Sequence, residues 1–186
     1  ARRFRDRSPD RTIRFVTFAN EEPPFFQTSN MGSYRYAEFL RDRDVDVKAM
    51  WSLETLGYYS DEPGSQYYPP VAGWFYPDRG NFVGFVGNLS NRPLVRSTVR
   101  VFRKHARIPS EGGSLPGLLP GVAWSDQWAF WQFGYPAMMV TDTAPFRYPY
   151  YHGPGDTPDR VHYESLARVL TGFVPVVEAH ARTPSS

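Results

Sequence analysis

The stretch Thr12–Glu22, with the sequence TIRFVTFANEE, decides how this chain can fold. Residues 12–19 are mainly apolar, as in strands that are buried on both faces of a sheet, so they predict a first strand. Glu21 and Glu22 follow where that strand would end. A buried carboxylate is costly unless it is paired or binds a cation, and open α/β sheets bind ligands at this edge. The pair therefore indicates a metal or proton-transfer site, or else two solvated acids that open a loop.

Composition narrows the class of protein. The chain has 186 residues, 41% of them hydrophobic, which suits a single globular domain with a full core. A net charge of +2 does not favour nucleic acid as a partner. Because cysteine is absent, any metal would have to be held by His, Asp and Glu. No apolar run approaches the roughly 18 residues of a membrane span, and nothing in the sequence sets an oligomeric state.

Apolar periodicity predicts strands that alternate with helices, which is typical of a layered α/β fold. The predicted strands after the first cover residues 45–56, 81–87 and 136–141. The predicted helices cover residues 31–43, 90–107, a short stretch that Ser125-Asp126 caps and Phe133 ends, and 162–181. Residues 1–7 resemble the tail of a helix, and residues 58–80, 108–121 and 142–158 are predicted loops.

Two further residues with metal-binding side chains lie at the ends of predicted elements. Glu54 closes the second predicted strand much as Glu22 follows the first, so parallel pairing would bring both carboxylates to one edge of the sheet. His152 lies in the loop after the last strand, beside a Gly-Pro-Gly turn, and can reach the same edge. Carboxylate and imidazole ligands suit zinc in a hydrolase. Of the other histidines, His105 and His180 are expected to be bystanders on polar helix faces, and His162 is expected near a helix start rather than as a ligand.

Several short motifs occur in a fixed order between residues 12 and 160. They are Phe15–Glu22 with Met31-Gly32-Ser33, Ser52–Tyr58, Ser125-Asp126 with Phe130, Gly134–Ala137, and Tyr151-His152 with Asp156-Thr157. In this order they resemble the di-zinc aminopeptidases of metallopeptidase family M28.

The resemblance implies a three-layer α/β/α sandwich with a mixed, mainly parallel central sheet. Residues 1–186 would then form a single zinc-peptidase-like catalytic domain. The implied activity is that of a zinc-dependent aminopeptidase, an exopeptidase that hydrolyses the N-terminal peptide bond of a peptide substrate with metal-activated water. Relatives are often exported, so analogy favours an extracytoplasmic or secreted location.

The resemblance also implies roles for residues that handle protons and orient the site. Glu21 would be the general base that takes a proton from metal-bound water and delivers it to the leaving amine. Tyr151 would donate a hydrogen bond to the tetrahedral oxyanion, and ordinary packing is its alternative role. Asp126 and Asp156 would orient the site, although capping or turn roles suit them equally well.

The metal ligands that the resemblance implies are incomplete in this chain. Glu22 and His152 would bind one zinc ion, and Glu54 would bind the other. The family's first two ligands, a histidine in an H-x-D motif and a bridging aspartate, precede the Glu-Glu pair, and residues 1–20 contain no substitute. We therefore expect a domain truncated at its N-terminus, with its first strands missing, an exposed sheet edge, and fewer than two zinc ions or none.

Two other functions fit the same motifs. A single-zinc acyl transferase that resembles glutaminyl cyclases would also keep the Glu-Glu pair, although Leu53–Gly57 favours the aminopeptidase. A non-catalytic binding module could keep the fold without the activity. The joint presence of Glu21, Glu22, Glu54 and His152 argues against that module.

Overall fold

Four strands and four α-helices make up the part of the chain that this computed structural model describes, which is residues 1–68, 72–74 and 76–183. The strands are β1 (Met50–Glu54), β2 (Val83–Asn88), β3 (Ser110–Leu115) and β4 (Ala137–Thr141). The helices are α1 (Gly32–Arg41), α2 (Arg92–His105), α3 (Gln127–Gln132) and α4 (Tyr163–His180). Short 3-10 turns cover Arg2–Phe4, Ala72–Trp74, Leu89–Asn91, Ala144–Phe146 and Pro158–Arg160.

The strands form one mixed sheet in the order β1-β4-β2-β3. β1 runs parallel to β4, and β2 runs parallel to β3, whereas β2 and β4 are antiparallel. The predicted mixed, mainly parallel sheet is therefore confirmed. In the first pair Glu54 lies opposite Thr141, so the carboxyl ends of β1 and β4 meet at one edge of the sheet.

Helices cover both faces of the sheet. Successive side chains of a strand point to opposite faces, and β4 shows this clearly. Ala137 packs with Phe130 in the layer of α1 and α3, whereas Met138 and Val140 pack with Phe102 in the layer of α2 and α4. The predicted three-layer sandwich is confirmed.

The helices form where the apolar spacing predicted them, and their bounds differ from the prediction by one or two residues. In α4, Val169 and Phe173 face the core, while Leu170 is 47% exposed. In the part of the chain that the structure describes, no helix is long and apolar enough to cross a membrane. In α2 the apolar residues at helical spacing are buried: Leu94, Val95, Val99 and Phe102.

The prediction of a buried strand over residues 12–19 is wrong. The segment has no regular secondary structure and joins no sheet, and Phe15 and Val16 are 57% and 43% exposed. Phe18 alone packs into the core, against Tyr36 and Phe130. A strand needs the backbone groups of a neighbouring strand, and none lies beside this segment among the described residues.

Three other segments were predicted as loops or as a helix tail, and the structure can be compared with those predictions. The predicted loop 108–121 contains β3, whose glycines fit closely under α2, since a Cβ on Gly112 would lie 2.9 Å from Val99 Cγ2. The predicted helix tail over residues 1–7 is only the 3-10 turn Arg2–Phe4. The predicted loop 58–80 includes residues 69–71 and 75, which lie outside the described residues.

Candidate active site

The predicted site residues other than Asp156 come together at the edge where β1 and β4 end. Glu54 is the last residue of β1, and Asp142 directly follows β4. Glu21 and Glu22 follow the segment over residues 12–19. The loop after β4 brings His152 to the same edge, where its Nε2 lies 3.4 Å from Glu22 Oε1. Four separate stretches of the chain thus contribute to one group of polar side chains.

Burial and like charge raise the pKa values of several carboxyl groups at this edge. For Glu21, burial is the largest cause, and the charges of Glu54, Asp126 and Glu22 add to it, so the pKa rises from 4.5 to about 7. The pKa values of Glu54 and Asp126 are also raised, mainly by burial. Such a cluster favours the binding of a proton or a cation.

Tyr151 lies within reach of the same charges. Burial, followed by the charges of Glu54, Glu22 and Glu21, raises the pKa of its phenol to about 12. The phenol is therefore protonated at neutral pH and can donate a hydrogen bond. Its ring stacks on the imidazole of His152, with 4.0 Å between centroids and 16° between planes, and this contact limits the orientations of both rings.

Left-handed backbone conformations surround the site. Asn20, Thr55, Thr143 and His152 have φ angles of 61°, 39°, 63° and 54°. Each lies beside or within the set of candidate residues, and this conformation costs a non-glycine residue about 1 kcal/mol or more. Strained backbone of this kind clusters at functional sites, where it directs side chains toward a common point.

Asp126 and Asp156, the two aspartates that the family resemblance predicts to orient the site, lie in different places. Asp126 lies close enough to Glu21 to affect its pKa, so it belongs to the cluster. Neither Ser125 nor Asp126 caps α3 with its side chain, although the sequence predicts such a cap. The Ser125 hydroxyl instead lies 2.7 Å from the Ser52 hydroxyl, at hydrogen-bond distance. Asp156 lies in the turn beyond His152 and accepts a hydrogen bond of 2.9 Å from the Tyr148 hydroxyl, which stabilises that loop.

Asp142 is a site residue that the sequence analysis missed. Its side chain is 1% exposed and accepts a 2.8 Å hydrogen bond from the N–H of Tyr58. Its own N–H donates to the carbonyl of Thr55 at 3.0 Å. These bonds fix the turn that follows Glu54. A signal existed, because Asp142 directly follows β4, in the same way that the Glu-Glu pair follows residues 12–19.

Arg147 is the second residue missed, since an arginine in a loop normally suggests a solvated side chain. It is buried, and its guanidinium donates to Gln66 Oε1 at 2.8 Å and to the carbonyl of Phe82 at 2.9 Å. Burial lowers its pKa to about 10, so the group stays charged at neutral pH. These bonds attach the loop that carries His152 to the segment before β2.

The candidate metal ligands are present but not assembled. Glu22 and His152 form a pair, and Glu54 lies elsewhere in the cluster. Among residues 1–68, 72–74 and 76–183, no three His, Asp or Glu side chains are grouped closely enough to hold a metal ion. The types of donor atom suit zinc. At no single position, however, do the described residues bring together as many donors as a four-coordinate zinc site has.

Comparison with known proteins gives the same family as the one that the sequence motifs resemble. A sequence model of peptidase family M28 matches residues 1–177. The chain belongs to peptidase family M28. It is 39% identical over 178 residues to the uncharacterized protein YfbL of Escherichia coli K12. That match covers 95% of this chain and 54% of YfbL, so this M28 chain spans about half the length of its curated relative.

One solved aminopeptidase shares the fold of this M28 chain. The LapA aminopeptidase of Legionella pneumophila superposes with a TM-score of 0.55 at 16% identity, over 79% of this chain and 36% of LapA. The aminopeptidase of Aneurinibacillus sp. strain AM-1 gives a TM-score of 0.49 at 21% identity, over 83% and 31% of the two chains. The likeness to LapA supports the three-layer architecture.

The raised pKa of Glu21 predicts how stability depends on pH. Between about pH 4.5 and 7 the folded chain binds more protons than the unfolded chain, so its free energy of unfolding falls as the pH rises. We expect Glu21→Gln to weaken this dependence, as measured by urea unfolding at pH 5 and pH 7.5 with a chelator present. The exposed Glu62→Gln variant is the control, and equal pH dependence in the two variants would contradict the account.

The hydrogen bonds of Arg147 predict a large loss of stability on its replacement. Arg147→Met leaves buried acceptors and the carboxylate of Asp142 without a cation, and we expect a loss of about 3 kcal/mol. The exposed Arg160, which lies over the Tyr150 ring, provides the matched control Arg160→Met, with an expected loss below about 0.5 kcal/mol. Similar losses of unfolding free energy in both variants would argue against a structural role for Arg147.

Proposed function

We propose that this chain supplies catalytic and metal-binding residues of a zinc-dependent aminopeptidase. The observation that carries the proposal is the carboxylate cluster itself, in which the charges of Glu54 and Asp126 help to raise the pKa of Glu21, and His152 lies 3.4 Å from Glu22. Membership of peptidase family M28 favours peptide-bond hydrolysis as the chemistry of this cluster.

Three residues would hold the metal in this proposal. Glu22 and His152 offer an oxygen and a nitrogen donor to one ion, and Glu54 offers an oxygen to a second. Bound zinc would polarise the scissile carbonyl and lower the pKa of a water ligand toward about 7. Since these donors form no complete site in the part of the chain described, further ligands from outside these residues belong to the proposal.

Glu21 would move the proton. A general base works best with a pKa near the working pH, and the pKa of Glu21 is raised to about 7. Its carboxylate would take a proton from the attacking water and then deliver it to the leaving amine. The neighbouring Glu22 would act as a metal ligand, so the two adjacent carboxylates would have different roles.

Tyr151 would stabilise negative charge on the substrate. Its phenol stays protonated because its pKa is raised to about 12. A positioned donor of this kind is stronger in the transition state than in the ground state when it points at the developing oxyanion. The stacked imidazole of His152 holds the phenol ring beside the proposed metal.

The surroundings suggest how a peptide would bind. The negative cluster would attract a free α-amino group and so favour a substrate with an unblocked N-terminus. Aromatic rings cluster in the loops that follow β1 and β4, where Tyr148 lies 4.8 Å from Tyr58 and 5.8 Å from Tyr150 between ring centroids. We propose that these rings accept an apolar N-terminal side chain.

A direct assay tests this function. The product of the complete reading frame should hydrolyse leucine p-nitroanilide, lose activity with a zinc chelator and regain it with added zinc. Removal of a general base costs about 100- to 10,000-fold in rate, so Glu21→Gln should lower kcat by that factor while Glu62→Gln leaves it unchanged.

Three results would reject the proposal. Activity that survives chelation would exclude the metal, and a fully active Glu21→Gln variant would exclude the general base. Equal hydrolysis of N-acetyl-leucine p-nitroanilide would exclude recognition of a free N-terminus. Cyclisation of an N-terminal glutamine in place of hydrolysis would favour the acyl transferase.

A further inference from the structure

The outer face of α2 concentrates positive charge. Its inner face, which includes Val95, Val99 and Phe102, is buried against the sheet. At 3.6 residues per turn, the cationic side chains of the helix fall within about one third of its circumference. All of them are exposed, and the exposed Arg107 follows two residues after the helix. Together with Arg107, the basic face of α2 consists of Arg92, Arg96, Arg100, Arg103 and Lys104.

Little negative charge balances this basic face. Between Asp78 and Glu111 the sequence contains no acidic residue, although the whole chain has a net charge of only +2. Among the described residues, Arg103 alone of the basic face forms an ion pair, with 3.6 Å between its Nη2 and Glu111 Oε2. On the neighbouring α4, Glu164 already pairs with Arg168 of its own helix. The charge of the basic face is therefore largely available to an external anion.

The charges of the basic face destabilise the helix that carries them. Arg92, Arg96, Arg100 and Lys104 follow one another at intervals of four residues, so like charges stand one turn apart, and such pairs weaken a helix. Arg92 is also the first residue of α2, where the helix dipole disfavours a cation, and the first turn contains no acidic residue. Such departures from the rules for a stable helix are expected where a function compensates for them.

We propose that the basic face of α2 binds the surface of a membrane that contains anionic phospholipids. Helix α2 is about 21 Å long, and a bilayer presents phosphate groups over an area wide enough to contact all of its cations at once. Clusters of four to eight Lys and Arg residues on a helix are typical of attraction to anionic lipid. Arginine suits this role, because its guanidinium can donate two parallel hydrogen bonds to one phosphate.

The composition of the basic face favours a bilayer over other anionic partners. No Phe, Tyr or Trp stands among its cations, whereas proteins that bind single-stranded nucleic acid stack the bases on such rings. The face also has no Asn or Gln to read base edges in a duplex. The centre of a protein interface is usually poor in charge, but the centre of this face contains Arg96 and Arg100.

Binding at the basic face leaves the candidate active site open. Helix α2 covers a face of the sheet, whereas the carboxylate cluster lies at the edge where β1 and β4 end. Outside residues 79–110, acidic residues outnumber basic ones, so an anionic surface attracts the basic face more strongly than the rest of the chain. The proposal concerns this face alone and does not rest on the proposed reaction.

Cosedimentation with phospholipid vesicles tests the proposal. The product of the complete reading frame should bind vesicles that contain about one third phosphatidylglycerol, and should bind pure phosphatidylcholine vesicles much more weakly. Binding should weaken steeply between about 0.05 and 0.3 M NaCl, because salt screens exposed charges. The double variant Arg96→Gln/Arg100→Gln should lower the partition coefficient about 25-fold, since each cation contributes a factor of about five at such a surface.

Two control variants separate the basic face from overall charge and from misfolding. Arg35→Gln/Arg41→Gln removes two exposed cations from α1, in the opposite helical layer, and should change the partition coefficient by less than about twofold. Arg96→Lys/Arg100→Lys keeps the charge and should retain binding. All these side chains are exposed, so each variant should unfold at about the temperature of the unmodified protein.

Three results would overturn the proposal. The first is that the unmodified protein does not bind the anionic vesicles, or binds neutral vesicles equally well. The second is an equal loss of binding in the α1 and α2 glutamine variants. The third is tighter binding to duplex DNA or to polyglutamate than to the vesicles, which would assign the basic face to a different anionic partner.

Discussion

The burial of carboxylates close together near the carboxyl ends of β1 and β4 is the constraint on which the rest of the structure depends. Glu21, Glu54 and Asp126 are partly buried, and their pKa values are raised because water and counter-charge are scarce around them. The surrounding structure keeps them together through left-handed turns and through the hydrogen bonds of Asp142 and Arg147. A fold that maintains such a cluster against its own repulsion is suited to bind a cation there.

The sequence predicted helices better than strands, for a physical reason. The apolar spacing of α2, from Leu94 to Phe102, defines a buried face within a single element. A strand depends on its neighbours, so residues 12–19 have the composition of a strand but form none without a pairing partner. Conversely, β3 looks like a loop by composition, and it is a strand because β2 pairs with it and α2 packs over Gly112.

The sequence predicts those residues of the candidate site that directly follow a predicted strand or lie beside a marked turn. Glu54 and the Glu-Glu pair follow apolar runs, and the turn after His152 marked that histidine. Asp142 obeys the same rule because it directly follows β4, although its composition context predicts only the start of a loop. Arg147 carries no local signal, because only the folded chain buries its guanidinium between Gln66 and Phe82. The spacing of residues along the sequence does not predict burial that depends on contacts between distant segments.

The central proposal is that the carboxylate cluster and His152 bind zinc. Anomalous diffraction at the zinc absorption edge, on crystals of the complete reading-frame product grown with zinc, tests it most directly. The account predicts a peak about 2.0–2.2 Å from both His152 Nε2 and a carboxylate oxygen of Glu22. Crystals of an enzyme that hydrolyses leucine p-nitroanilide but shows no peak at these two residues would contradict the account.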